Sequence, residues 1–178
     1  MKKAVPRVLP RLLPIGALFL PLGALTIISN ATAYNIVGLI KTLTGETNEF
    51  FAGVLQSDRM DPARPWLAVA AAGLTLGILA VLAGLALSLR ESMKLSAASA
   101  AVYAGGTAGI ILAAAGFMMF GKALAEAWRS MAGASLGYGS WVLLALLLLN
   151  AAICFFQWRA AKESARLAAL AAKKRKKR

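Results

Sequence analysis

The surplus positive charge of this chain is confined to alternate connections between four charge-free apolar stretches, and that pattern constrains the fold more than any motif does. The stretches are Leu12–Ile28, Trp66–Leu89, Leu95–Gly121 and Ser130–Trp158. The N-terminus carries Lys2, Lys3, Arg7 and Arg11, the connection between the second and third stretches carries Arg90 and Lys94, and the C-terminal tail carries nine more Lys and Arg. Those fifteen cations face only two acids, Glu91 and Glu163. The other two connections balance five cations (Lys41, Arg59, Arg64, Lys122, Arg129) against five acids (Glu46, Glu49, Asp58, Asp61, Glu126). Membrane insertion retains Lys and Arg in the cytoplasm, so the pattern predicts both termini inside and the two neutral connections outside.

The expected fold class is therefore all-α: a polytopic membrane protein with four transmembrane helices, N-in and C-in, ending in a cytoplasmic basic helix or tail. The expected spans are about 12–29, 66–89, 97–120 and 140–158, with an outer loop at 34–65 and the basic tail at 159–178, all in one domain. Composition agrees, since 60% hydrophobic and 15% charged residues are wrong for a soluble domain, where about 25% are charged. Ala-, Leu- and Arg-rich usage points to the plasma membrane of a bacterium, that is, its inner membrane.

The first stretch has two readings. As a membrane helix it carries Pro14 in its first turn, where a missing N–H is harmless, and Pro21 in its interior, where a kink should expose the carbonyl of Ala17. As a signal peptide it has a basic start, an apolar core and the small-residue site Ala31-Thr32-Ala33. A retained helix is the favoured reading. In the loop that follows, Ile36, Val37, Leu39, Ile40 and Leu43, then Phe50, Phe51, Val54 and Leu55, form two short apolar clusters suited to the outer interface. Asn30-Ala31-Thr32 matches a glycosylation sequon but sits too close to the membrane to be used. Later, Lys122–Met131 reads as a short outer helix before a Gly-rich turn at Gly137 and Gly139.

Inside the spans the informative residues are small or singly polar. Ala70, Gly73, Gly77, Ala80, Gly84 and Ser88 form one stripe, and Ala98, Ala101, Gly105, Gly109, Ala113 and Gly116 form another. Lipid provides no hydrophobic drive between helices, so close backbone approach at such residues supplies the contact. Gly73, Gly77, Gly84, Gly105, Gly109 and Gly116 are thus expected at a packed face between the second and third spans. The fourth span is bulky and Leu-rich, and its strongly polar residue is Asn150, expected to lock onto another helix rather than to line a pathway. Thr75 and Thr107 are expected to bond carbonyls of their own helices.

Function is constrained mainly by what is missing. No ionisable residue lies in a span core, where coupled transporters and voltage sensors keep theirs. The chain has no His and one Cys, Cys154, so no imidazole site and no internal disulfide can form. No catalytic residues, metal ligands or cofactor site emerge, and an enzyme is not expected. The tail places Lys173, Lys174, Arg175, Lys176, Lys177 and Arg178 in an unbroken run, which reads as an anchor for anionic lipids or an acidic partner. Nucleic acid is the less favoured partner for that run. The expected role is a non-catalytic accessory or structural subunit of a larger membrane assembly, bound to other membrane subunits or to itself. The alternatives are a small transporter or channel formed by oligomerising, and a membrane anchor that presents its basic tail to nucleic acid.

Four spans, a longer first outer loop and both ends inside give a layout that is similar to that of claudin-type tetraspan proteins. The Trp and paired Cys of that family's outer loop are missing from 34–65, so the likeness is one of architecture alone.

Overall fold

The computed structural model describes residues 5–27, 30–35, 37, 58–88, 93–127, 129 and 132–175. Among them are four α-helices, α1 (Val5–Ala17), α2 (Arg64–Ser88), α3 (Met93–Ala127) and α4 (Tyr138–Arg175), and three strands, β1 (Gly23–Ile27), β2 (Asn30–Tyr34) and β3 (Ala132–Leu136). Three helices, α2, α3 and α4, are long and apolar enough to cross a membrane.

The first predicted span is corrected. A helix over 12–29 does not form; α1 ends at Ala17 and the chain is extended from Gly23. The cause is local. Pro21 has no N–H and disfavours helix at Leu20, so the last turn tightens into i→i+3 bonds, Leu18 N to Ile15 O, Phe19 N to Gly16 O and Leu20 N to Ala17 O, each 3.2 Å. The Ala17 carbonyl that a kink would have exposed is thus satisfied by Leu20. At thirteen residues α1 is about 20 Å long, short of the ~30 Å a hydrocarbon core requires.

β1 is the central strand of an antiparallel sheet in the order β2-β1-β3. It pairs with β2 from Gly23–Tyr34 to Ile27–Asn30 and with β3 from Gly23–Leu136 to Ile27–Ala132. The Ala31-Thr32-Ala33 site therefore lies within β2. β3 also replaces part of the predicted outer connection, and the expected short helix from Lys122 is the end of α3, which runs unbroken to Ala127. Small residues allow the sheet to sit on the bundle: a Cβ at Gly121 would lie 2.6 Å from the Ala134 carbonyl oxygen. Beside it, Met60, Ala63, Phe120 and Leu124 make a second small core under the 3-10 turn Asp58–Met60.

The helices form a ring in which α3 packs on α2 and α4, while α1 closes the circle by touching α4 and, less extensively, α2. Buried positions on α3 run Ser99, Tyr103, Gly106, Ile110, Ala113, Phe117, Phe120 and Leu124, and on α4 Ser140, Leu143, Leu147, Asn150 and Cys154. Steps alternating between three and four residues average 3.5, the repeat of left-handed helix bundles. The opposite faces carry Leu76, Leu79, Leu82, Ile111, Leu112, Met118, Leu148, Leu149 and Phe156, all exposed. Apolar surface on that scale suits lipid and not water. Trp66 and Trp141 are exposed at the sheet end, and Trp158 lies toward the far end of the crossing length of α4. That is where aromatic side chains settle at an interface. The apolar clusters predicted between Ile36 and Leu55 lie, Val37 apart, outside the described residues.

Candidate functional site

The polar atoms inside the bundle collect on one seam, between α1 and α4. Asn150, Cys154 and Gln157 recur at steps of four and three on α4 and so share a face. Opposite them stand Pro10, Arg11 and Pro14.

The origin of the seam is the proline spacing of α1. Pro6, Pro10 and Pro14 fall four residues apart, so each of the last two lacks the N–H that would reach the carbonyl of the one before. Pro14 in particular leaves the Pro10 carbonyl without its helical donor. Asn150 supplies one: its Nδ2 donates to Pro10 O at 3.0 Å and to Leu146 O, in its own helix, at 2.8 Å. Where bulk water is excluded, a neighbouring helix is one of the few sources of a donor for such a freed group. Asn150 is fully buried, and its Oδ1 has no hydrogen-bond partner, a cost of about 1–3 kcal/mol set against those two bonds.

Arg11, one helical residue further, is buried to 8% exposure and donates from Nη2 to Gln157 Oε1 at 2.8 Å. Cys154 is fully buried between Asn150 and Gln157 on the same face of α4. The charge pattern groups Arg11 with the cytoplasmic cations; in the structure its side chain turns into the bundle instead. The signal that could have found it is the i, i+3, i+7 relation of Arg11, Pro14 and Leu18, all buried, against exposed Leu12, Leu13 and Phe19. Near the sheet the same two segments meet through backbone. Gly139 N donates to Pro21 O at 2.9 Å, Gly137 N to Leu22 O at 3.0 Å and Ser140 Oγ to Leu22 O at 2.6 Å. Gly139 is required there, because a Cβ would stand 2.7 Å from the Pro21 oxygen.

The predicted glycine face lies between α2 and α3, with one correction. A Cβ at Gly73 would lie 2.5 Å from Gly109 O and Ala113 N, one at Gly109 2.9 Å from Gly73 O, and one at Gly116 2.6 Å from Ala70 N. Gly77 faces the Ile110 side chain, and Gly84 faces the ring of buried Tyr103 at 2.5 Å. Gly105 does not belong to this face: it is exposed, and nothing lies within 4 Å of its Cβ position. Gly106 takes its place, against Ala80. A stripe of strict four-residue steps drifts off the contact, whereas the 3.5 repeat carries Gly106, Ile110 and Ala113 along it. Thr75 Oγ1 donates to Ala71 O at 2.8 Å and Thr107 Oγ1 to Tyr103 O at 3.0 Å.

In the tail, α4 extends to Arg175 and Lys173 is exposed, while the side chains of Lys174 and Arg175 and all of Lys176, Lys177 and Arg178 lie outside the described residues. An open cleft of about 440 Å³, lined by Arg59, Pro62, Ala123, Glu126 and Ala127, faces outward near the sheet. It lacks the enclosing apolar walls of a small-molecule site. Among the described residues, no three His, Cys, Asp or Glu side chains come together.

Chemically, the seam joins two helices through these polar contacts. Its amide and guanidinium face a carbonyl and an amide oxygen, with neither an activated nucleophile nor a base among them. Compared with protein-family models, curated proteins and solved structures, the chain matches none, so the likeness to claudin-type proteins rests on layout alone.

Proposed function

We propose that this chain is a non-catalytic accessory or structural subunit of a larger assembly in the plasma membrane of a bacterium. In this reading it crosses four times with both termini in the cytoplasm. The observation that carries it is the fate of the buried polar groups. Asn150 and Gln157, the two amides of the fourth span, are engaged with α1 rather than with an open cavity. A pathway built by oligomerising would run along the outer surface of the bundle, and Asn150 is fully buried away from that surface.

The fourth crossing is α1 together with the turn to Leu22. Leu22 meets Ser140 at the start of α4 and Arg11 meets Gln157 midway along it. Those two positions on α4 are seventeen residues, about 26 Å, apart. The first segment thus covers nearly the depth of a hydrocarbon core with a short helix and an extended end. Its loss would remove the central strand β1, which supports retention over cleavage after Ala33.

Purification in mild detergent followed by mass spectrometry tests the role. Stoichiometric membrane proteins that co-purify are the expected outcome. A homo-oligomer free of other proteins that passes solute in liposomes would replace this reading with the transporter one.

A further inference from the structure

The first segment is fastened to the bundle by different means at its two ends. Toward the sheet the attachment is made largely of backbone. Gly139 N donates to Pro21 O and Gly137 N to Leu22 O, Ser140 Oγ adds a bond to Leu22 O, and β1 follows as the central strand. Further back, side chains join α1 to α4: Asn150 Nδ2 donates to Pro10 O, and Arg11 Nη2 donates to Gln157 Oε1. Between the two attachments the chain leaves the helix through the i→i+3 bonds of Leu18, Phe19 and Leu20 and then Pro21.

The polar groups of the closed seam are incompletely satisfied. Asn150 Oδ1 is buried without a hydrogen-bond partner, and the Arg11 side chain is withdrawn from solvent to 8% exposure. Burying an unpartnered acceptor and burying a charge both cost free energy, and contact with solvent relieves both. The other bond of Asn150, to Leu146 O, lies within α4 and does not need α1. Ala17 and Leu18 face the core, yet on leaving it they meet equally apolar surroundings, so they resist separation through packing alone. The contact between α2 and α3, where backbone stands against backbone, has no such weakness.

We propose that α1 is a strap, hinged at residues 18–21, that swings away from α4 while β1 stays in the sheet. Opening uncovers one face of α4, on which Asn150, Cys154 and Gln157 lie in line. The bonds from Asn150 and to Gln157 are the clasp, and they control access to that face. Such an opening is a local one, well below global unfolding in free energy. It is a property of the isolated chain and does not depend on the subunit reading.

Cys154 reports the motion, because it is the sole cysteine of the chain and is fully buried when the strap is closed. The test takes the full-length protein in mild detergent and follows alkylation of Cys154 by excess N-ethylmaleimide. Dividing that rate by the rate in the unfolded protein gives the fraction of molecules in which the thiol is uncovered. That fraction should exceed the globally unfolded fraction, extrapolated from denaturation of the same sample, by at least about tenfold. Hydrogen exchange of the β1 amides should follow the globally unfolded fraction instead. Asn150→Leu should raise the uncovered fraction about three- to fivefold, the factor that one hydrogen bond between membrane helices carries. The first two measurements need no variant, so they stand even where Asn150→Leu fails to fold. Three outcomes overturn the proposal: alkylation that tracks global unfolding, β1 amides that exchange as often as Cys154 is uncovered, or a folded Asn150→Leu protein alkylated at the parent rate. The second would mean that the whole N-terminal segment leaves as one piece, and the third that the clasp is not what holds the strap.

Discussion

The two helix contacts that hold this bundle are built on opposite principles. Between α2 and α3 the backbones approach each other across Gly73, Gly109 and Gly116, with carbonyls lying where side chains would be. Both helices are regular and need nothing from each other beyond shape. Between α1 and α4 the partner on one side is irregular. Prolines strip α1 of internal bonds; Asn150 of α4 supplies a donor to the freed Pro10 carbonyl, and Gln157 accepts from the Arg11 side chain. A dry contact of small residues tolerates no added volume, whereas a polar seam tolerates volume and fails when a donor or acceptor is lost.

That contrast can be broken by substitution, and the largest effect belongs to the dry side. Gly109→Leu should lower the melting temperature in detergent by about 10 °C, since overpacking against backbone costs up to about 3 kcal/mol and each kcal/mol moves a chain of this size by roughly 2–4 °C. Gly105→Leu, four residues earlier and facing outward, should melt like the parent. Equal losses in the two variants would show that the contact register is wrong.

On the seam, Gln157→Leu should cost about 2 kcal/mol, because it removes an acceptor from a buried guanidinium; Arg11→Met, which removes the charge itself, should cost less. Denaturation in detergent ranks the two, and the reverse order would mean that Arg11 is solvated rather than held. Asn150→Leu comes next, at about 1 kcal/mol, typical of a hydrogen bond between membrane helices. Its decisive partner is Pro14→Ala, which gives α1 an N–H for the Pro10 carbonyl. In a double-mutant cycle the loss from Asn150→Leu should shrink in the Pro14→Ala background, and strict additivity would sever the link between the two residues. The smallest effect is expected outside both contacts. The Asp61–Arg64 ion pair measures 2.6 Å but is solvent-exposed on both sides, so Asp61→Asn should change stability by under about 0.5 kcal/mol.

Much of this was legible in the chain, and the omissions have a common physical origin. Long uncharged stretches marked α2, α3 and α4, and the helix-forming residues after Trp158 announced the extension of α4. Asn150 stood out as an amide among leucines. The faces did not stand out, because each of these helices is apolar all round: a side chain turned to its neighbour and one turned to lipid belong to the same residue types, so hydrophobic periodicity carries no signal. Gly105 and Gly106 are adjacent in sequence, and only the 3.5 repeat of the packed structure separates them. The sheet was hidden for another reason. Gly23–Ile27, Asn30–Tyr34 and Ala132–Leu136 are short and rich in Gly, Ala, Ser and Thr, and the pairing of β1 with β3 joins segments more than a hundred residues apart.

The proline ladder of α1 has a consequence for how the molecule is made. A segment whose backbone cannot satisfy itself is not a stable membrane helix on its own, and the amide that completes it emerges from the ribosome 140 residues later. α1 is therefore synthesised well before it can be finished. Until Asn150 arrives, the Pro10 carbonyl depends on water or on the insertion machinery, and α1 has reason to wait at the edge of the bilayer. Assembly of the seam thus closes α1 and α4 on each other around a single side-chain amide.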